Sequence, residues 1–254
     1  MEQIQDLVLW THRLVGYPTA FIVAPLALLA YARPGLHRRA GLVYVWLMVT
    51  LYLLGTFLTL TRHDWLTWGF ARNLTFNFFG FSMVLYGLRA MVLFRRGGLE
   101  APERLDHLLK WLLAGSVIAL LAVAIFKDTP MRIFTLLGIT LVVLEFREVR
   151  IGPLPRPLLL RRHLRYILAS YFYVFTVVSV VHLDDELARK VKWLWPSALA
   201  LLIIPLATSD TRAFLGGSRA RRIRTAVLAT AIVALVLGAY VTWELASGHQ
   251  VTMQ

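Results

Sequence analysis

Long apolar segments follow one another along nearly the whole chain, and short loops rich in arginine separate them. One helix needs roughly 20 apolar residues to cross the hydrocarbon core of a bilayer. Hydrophobic residues make up 58% of this chain, whereas soluble domains have about 45–50%. The sequence therefore predicts an all-α, polytopic integral membrane bundle of about eight transmembrane helices. The predicted spans are residues 7–31, 41–60, 71–94, 108–126, 131–146, 161–183, 193–208 and 224–245.

Basic residues are distributed unequally between the two predicted sides of the membrane. Nineteen Lys and Arg residues fall on one side and eight on the other. Because cytoplasmic loops carry the excess of positive charge, we predict an inner (cell) membrane protein with both termini outside. The basic face predicts contact with anionic lipids. Since the basic clusters alternate with apolar runs, the net charge of +13 does not indicate nucleic acid binding.

An internal repeat is suggested when the chain is shifted against itself by 123 residues. Basic positions then coincide: Arg33 with Arg156, Arg38 with Arg161, and Arg89 with Arg212. The shift covers four predicted helices, so residues 1–126 and 127–254 would be two four-helix repeats in the same orientation. Shared topology alone, with a basic residue before each inward helix start, also explains part of the match.

Histidines lie near both predicted faces of the membrane. His163 and His182 are nineteen residues apart, which is roughly 28 Å of helix and close to the bilayer thickness. Neutral imidazole is a common ligand of haem iron. We predict His12 with His182 outside, and His37 with His163 or His107 inside, as candidate ligands of haem b. The alternative is that these imidazoles cap helix carbonyls or contact lipid phosphates.

Short motifs in both halves resemble a bacterial multi-pass membrane protein family of unknown function, which has an HRxxGxxYV-type start to its second helix. The motifs are residues 10–12 (WTH), 36–45 (LHRRAGLVYV), 89–90 (RA), 162–166 (RHLRY), 177–182 (VVSVVH) and 193–196 (WLWP). The resemblance brings no established activity, and family members tend to have asparagine where His182 stands. The two layers of histidines also resemble, more distantly, those of transmembrane cytochromes b, which carry electrons between stacked haems.

Two further functions stay open. Asn73 and Asn77 share a face of the third predicted helix, and Glu145 lies near the inner end of the fifth; such residues could line the path of a small-solute transporter or channel. They could equally bind neighbouring helices together. A non-catalytic scaffold or assembly subunit of a membrane complex is the third hypothesis, because no complete catalytic motif is present. The chain has no cysteine, which excludes thiolate catalysis.

Overall fold

A computed structural model describes residues 2–30, 33–62, 67–97, 103–126, 129–150, 154–182, 196–205 and 208, and within those ranges the chain is helical without strands. Four of the described helices are long and apolar enough to cross a membrane: Glu2–Leu29, Pro34–Arg62, Gly69–Arg95 and Arg104–Ile125. The all-α class is confirmed for the described residues, and the four long apolar helices make the chain a membrane protein.

The helices are numbered in chain order. They are α1 (Glu2–Pro18), a π-helical turn (Thr19–Val23), α2 (Ala24–Leu29), α3 (Pro34–Arg62), α4 (Trp68–Arg95), α5 (Arg104–Phe126), α6 (Thr129–Arg150), α7 (Arg156–His182) and α8 (Pro196–Pro205). The first predicted span corresponds to α1 through α2, and the next five correspond to α3 through α7.

Eight spans and two equivalent halves are not supported by the described helices. All four that meet the length and hydropathy requirement lie before residue 127. In the region of the seventh predicted span, the described residues form the ten-residue apolar helix α8. The eighth predicted span, residues 224–245, lies outside the described residues.

The first membrane helix contains a π-helical turn between two prolines. Pro25 has no N–H, so it cannot bond to the carbonyl four residues earlier, and its ring collides with that carbonyl. The backbone widens into the π-turn just before this point, at Thr19–Val23. The Thr19 hydroxyl donates a hydrogen bond of 2.6 Å to the Val15 carbonyl. The Ala20 carbonyl, five residues before Pro25, accepts a hydrogen bond of 3.1 Å from the Tyr171 hydroxyl of α7, so a neighbouring helix replaces a bond that the proline cannot make.

Glycines on α4 allow close packing against α3 and α7, and α4 and α7 form the most extensive helix contact in the described bundle. A Cβ at Gly87 would lie 2.7 Å from the Ile167 side chain on α7. A Cβ at Gly80 would lie 2.6 Å from the Tyr52 hydroxyl and 2.8 Å from the Tyr173 ring. The core therefore combines residues from both predicted halves of the chain.

Large apolar side chains cover much of the outside of the bundle. Leu14, Leu53, Ile118 and Trp46 are each 65% or more exposed. In water, so much exposed apolar surface would favour aggregation or association. In a bilayer these side chains face lipid, which agrees with the membrane class.

Candidate functional site

Five charged side chains are buried together near one end of the bundle: one each on α4, α5 and α6, and two, Arg162 and Arg165, on α7. Glu145 on α6 is 0% exposed and Arg162 on α7 is 3% exposed. Arg89 on α4 and Asp106 on α5 are buried as well. Asp106 acts electrostatically on Arg162, so the two acid–arginine pairs belong to one cluster. We call Tyr86, Arg89, Asp106, Glu145, Arg162 and Tyr166 the charged cluster.

The Arg89–Asp106 pair joins the end of α4 to the start of α5. Arg89 Nε donates to Asp106 Oδ1 and Arg89 Nη2 donates to Asp106 Oδ2, both at 2.9 Å. The Glu103 backbone N–H also donates to Asp106 Oδ2 at 2.9 Å. The Glu103 carboxylate lies 3.0 Å from Arg89 and 3.1 Å from Arg96. Asp106 therefore serves both as the partner of a buried cation and as an acceptor at the N-terminus of α5.

The Arg162–Glu145 pair joins α7 to α6 in the same two-point manner. Arg162 Nε donates to Glu145 Oε2 at 3.1 Å, and Arg162 Nη2 contacts Glu145 Oε1. The Tyr166 hydroxyl donates to Glu145 Oε2 at 2.9 Å. The carboxylate is thus enclosed by donors from a single neighbouring helix, so its charge decides how firmly α6 and α7 are held together.

Tyr86 lies between the two ion pairs. Its ring stacks on the Tyr166 ring, with centroids 4.8 Å apart and an interplanar angle of 18°. The Arg162 guanidinium lies 5.1 Å from the Tyr86 ring centroid, in a cation–π position. The Tyr86 hydroxyl is fully buried and makes no hydrogen bond with any described residue. Buried polar groups without partners are uncommon, and this hydroxyl can still form hydrogen bonds.

Burying two ion pairs is expensive, because each ion loses several kcal/mol of hydration on transfer to the interior. Their mutual attraction repays this only while the hydrogen bonds are complete. Ionisable residues inside membrane bundles commonly belong to substrate, ion or proton pathways. The charged cluster is therefore the best candidate for a functional site among the described residues.

Two of the predicted histidine ligands lie at the same end of the bundle as the charged cluster. His37 Nδ1 donates a hydrogen bond of 2.7 Å to the Ala27 carbonyl. His163 Nδ1 donates one of 2.8 Å to the Gly87 carbonyl. His37 is close enough to act electrostatically on His163. In both rings the hydrogen bond uses Nδ1, which leaves Nε2 as the atom that could bind a metal.

The other predicted ligands are not brought together by the described residues. His107 is exposed at the start of α5, and His12 is half-buried on α1 beside the Leu51 backbone of α3. His182 ends α7, but its side chain lies outside the described residues, as do His63 and His249. Among the described residues, no group of three or more His, Asp or Glu side chains could hold a metal ion. The five-histidine assignment stays a prediction.

The predicted transport residues have mainly packing roles in the described conformation. Asn77 packs against α3, since a Cβ at Gly55 would lie 3.0 Å from its Oδ1. The Asn73 Oδ1 accepts a hydrogen bond of 3.3 Å from Arg72 Nε. A gap farther along α4 and α7, bounded by Phe79, Met83 and other residues, is too narrow for a water molecule. Glu145 is the predicted polar residue that the structure places in a charged environment.

Sequence reasoning missed Tyr86 and Asp106, and it counted Arg89 and Arg162 only as markers of the cytoplasmic side. A signal for Asp106 was present, because an acidic residue in the first turn of a helix stabilises the helix N-terminus. Both ion pairs also join residues seventeen positions apart across a helix–helix connection. Tyr86 had no comparable signal, since an aromatic residue in a membrane helix usually packs in the core or faces lipid.

No protein family model, curated protein or solved structure matches the chain. The resemblance to the multi-pass family of unknown function therefore stays a prediction, and the function must be argued from the site itself.

Proposed function

We propose that the protein is a proton-coupled transporter of a small solute, with Glu145 as the proton-carrying group and Arg162 as its releasable partner. The observation that carries the proposal is the complete burial of the Glu145 carboxylate against Arg162 and Tyr166. An acid buried with a single cation has two natural states: charged and paired, or protonated and separated from that cation.

The coupling follows from electrostatics. When Glu145 gains a proton, the attraction that offsets the burial of Arg162 is lost, and the guanidinium is left as an uncompensated buried charge. The arginine then lowers its free energy by reaching water or another anion, which separates α7 from α6. Protonation at one residue is thereby converted into movement of a helix, which is the two-state element that a coupled transporter needs.

The tightly packed conformation described above corresponds to the closed state in this mechanism. Its polar groups lie at the end of the bundle where His37, Arg95 and His163 also lie. By the distribution of basic residues, this end faces the cytoplasm and its anionic lipids, with both termini outside. The cluster would then receive solute and proton from, or release them to, the cytoplasmic side.

The absence of cysteine from the sequence allows a direct test by cysteine accessibility. Leu141 is buried on α6, one turn before Glu145, and its carbonyl lies 3.5 Å from the Tyr166 hydroxyl of α7, so Leu141→Cys places a thiol close to the contact between these two helices. In membrane vesicles, a membrane-impermeant methanethiosulfonate reagent should label this cysteine at least about tenfold faster at pH 5.5 than at pH 8, after correction for thiol ionisation. We expect this because protonation of Glu145 opens the contact between α6 and α7.

Arg39→Cys, at an exposed position on α3, supplies the correction for thiol ionisation, because the accessibility of this position should not change with pH. Adding Glu145→Gln to Leu141→Cys should make labelling fast at both pH values, since glutamine imitates the protonated acid. Equal relative labelling at both pH values, unchanged by Glu145→Gln, would show that the pair is a fixed structural contact and would refute the proposal.

A second candidate function is a haem-binding electron carrier, and the ring geometry of His37 and His163 favours it. Both Nδ1 atoms donate to backbone carbonyls, as they commonly do in histidines whose Nε2 binds a metal. Gly87 lies directly against Ile167, so a porphyrin cannot fit between α4 and α7 at this level. The haem would instead have to lie toward α3, where His37 is located, and it would supply one-electron chemistry.

An absorption spectrum tests this candidate. Protein expressed with a haem precursor and purified in detergent should show a Soret band, and either His37→Ala or His163→Ala should abolish it. His107→Ala, at an exposed position, is the matched control and should leave the band unchanged. A wild-type spectrum without a Soret band would eliminate haem binding.

A further inference from the structure

The fully buried Tyr86 hydroxyl has no hydrogen-bond partner among the described residues, and the proposed proton coupling does not use it. It belongs to a ring that stacks on Tyr166 on one side and lies under the Arg162 guanidinium. A phenol hydroxyl can donate one hydrogen bond and accept others. Beside an arginine, the group best suited to accept that hydrogen bond is an anion.

Charge balance around Arg162 indicates when the anion would bind. In the described conformation, Glu145 neutralises Arg162. When a proton is added to the Glu145 carboxylate, that group becomes neutral and Arg162 keeps its single positive charge. One monovalent anion restores the balance, so one proton and one anion enter together and no net charge is added to the buried site.

The surroundings of Glu145 and Arg162 contain further charged and titratable groups on each neighbouring helix. Tyr166 and Arg165 are on α7, Tyr86 and Arg89 are on α4, and Asp106 is on α5. Asp106 is already bound at two points by Arg89 and by the Glu103 backbone, so it is not available to replace Glu145 as the partner of Arg162. An added anion can therefore take the place of Glu145 as the partner of Arg162 when Glu145 is neutral.

We infer that the solute is a small monovalent anion, of the carboxylate or dihydrogen phosphate type, which binds between the Arg162 guanidinium and the Tyr86 hydroxyl when Glu145 is protonated. This inference rests on the proposed function, since it assigns the solute class to the same cluster. The stacked Tyr86 and Tyr166 rings form one wall of the site and limit its size. Arg162 gives the anion two parallel hydrogen-bond donors, and Tyr86 gives it a third.

Ligand-dependent thermal stability tests the inference. Purified protein in detergent is titrated with sodium acetate, formate or phosphate at constant ionic strength, with chloride as the reference salt. At pH 5.5 at least one of the three anions should raise the unfolding midpoint with saturable dependence, because a ligand that binds the folded state stabilises it. At pH 8 the same anion should have no effect. Tyr86→Phe should weaken the apparent affinity about tenfold.

Tyr44→Phe is the matched control, because the Tyr44 hydroxyl is also buried on the bundle interior but already pairs with the Ser170 hydroxyl at 3.0 Å. It should bind the anion with wild-type affinity. The inference fails if none of the three anions stabilises the protein at pH 5.5, or if Tyr86→Phe binds as well as wild type. Stabilisation by added phosphatidylglycerol alone would assign the site to lipid headgroups and overturn it. If cysteine labelling still depends on pH in that case, the proposed proton-coupled opening stands and only the assignment of the solute class is wrong.

Discussion

Arg162→Met should destabilise the protein by about 3–5 kcal/mol, because it leaves the Glu145 carboxylate buried without its cation. For a chain of this size the unfolding midpoint should fall by about 10 °C, as measured by thermal denaturation in detergent. Much of the loss should be restored in the double variant Arg162→Met/Glu145→Met. An apolar pair of similar volume avoids the cost of removing both charges from water.

The appropriate comparison is Arg62→Met, which removes an ion pair with Asp6 at the opposite end of the bundle. That pair has a contact of 2.6 Å, but the Asp6 side chain is 67% exposed. Exposed pairs contribute about 0–1 kcal/mol, so this variant should unfold close to the wild-type midpoint. If Arg162→Met and Arg62→Met had equally small effects, the interior of the cluster would have to be hydrated, and the electrostatic basis of the proposed coupling would be wrong.

Gly87→Leu should have the second large effect, through packing rather than charge. A Cβ at Gly87 already lies 2.7 Å from the Ile167 side chain, so a full leucine side chain forces α4 and α7 apart. Overpacking of this kind costs about 1–3 kcal/mol and occasionally more. It should also disturb the hydrogen bond between His163 and the Gly87 carbonyl. The measurement is again the unfolding midpoint in detergent.

Two variants define the cause of this effect. Gly115→Leu, on α5, places the same side chain where no atom lies within 4 Å of an added Cβ, so it should be nearly neutral. Adding Ile167→Ala to Gly87→Leu should recover part of the lost stability by making space on α7. A double variant no more stable than Gly87→Leu alone would mean that the contact between α4 and α7 is not the origin of the effect.

Hydrophobic length predicted the helical class and the positions of six helical segments, four of which are long and apolar enough to cross a membrane, because the apolar run and the helix coincide along most of each segment. The predicted and observed helix ends differ where polar residues continue a helix beyond its apolar run. Residues 34–40 extend α3 before its apolar run, and the His37 ring stabilises this extension by bonding to the Ala27 carbonyl of α2. Hydropathy contains no information about such a contact between neighbouring helices.

The site was less predictable than the fold for a related reason. The count of basic residues treats every arginine near a span end as an exposed charge in a loop. Arg89 and Arg162 are instead buried, because Asp106 and Glu145 on the adjacent helices give each of them a carboxylate. Which helices become neighbours is decided by long-range packing, above all between α4 and α7, and a single sequence does not show it.

The π-helical turn at Thr19–Val23 determines which side of the first membrane helix points inward. A π-turn inserts one residue relative to regular α-helix, and one residue corresponds to about 100° of rotation around the axis. Both α1 and α2 pack against α3 in spite of this change of phase. Because of the extra residue, the part of the segment before Pro18 and the part after Val23 contact α3 with different sides of the helix.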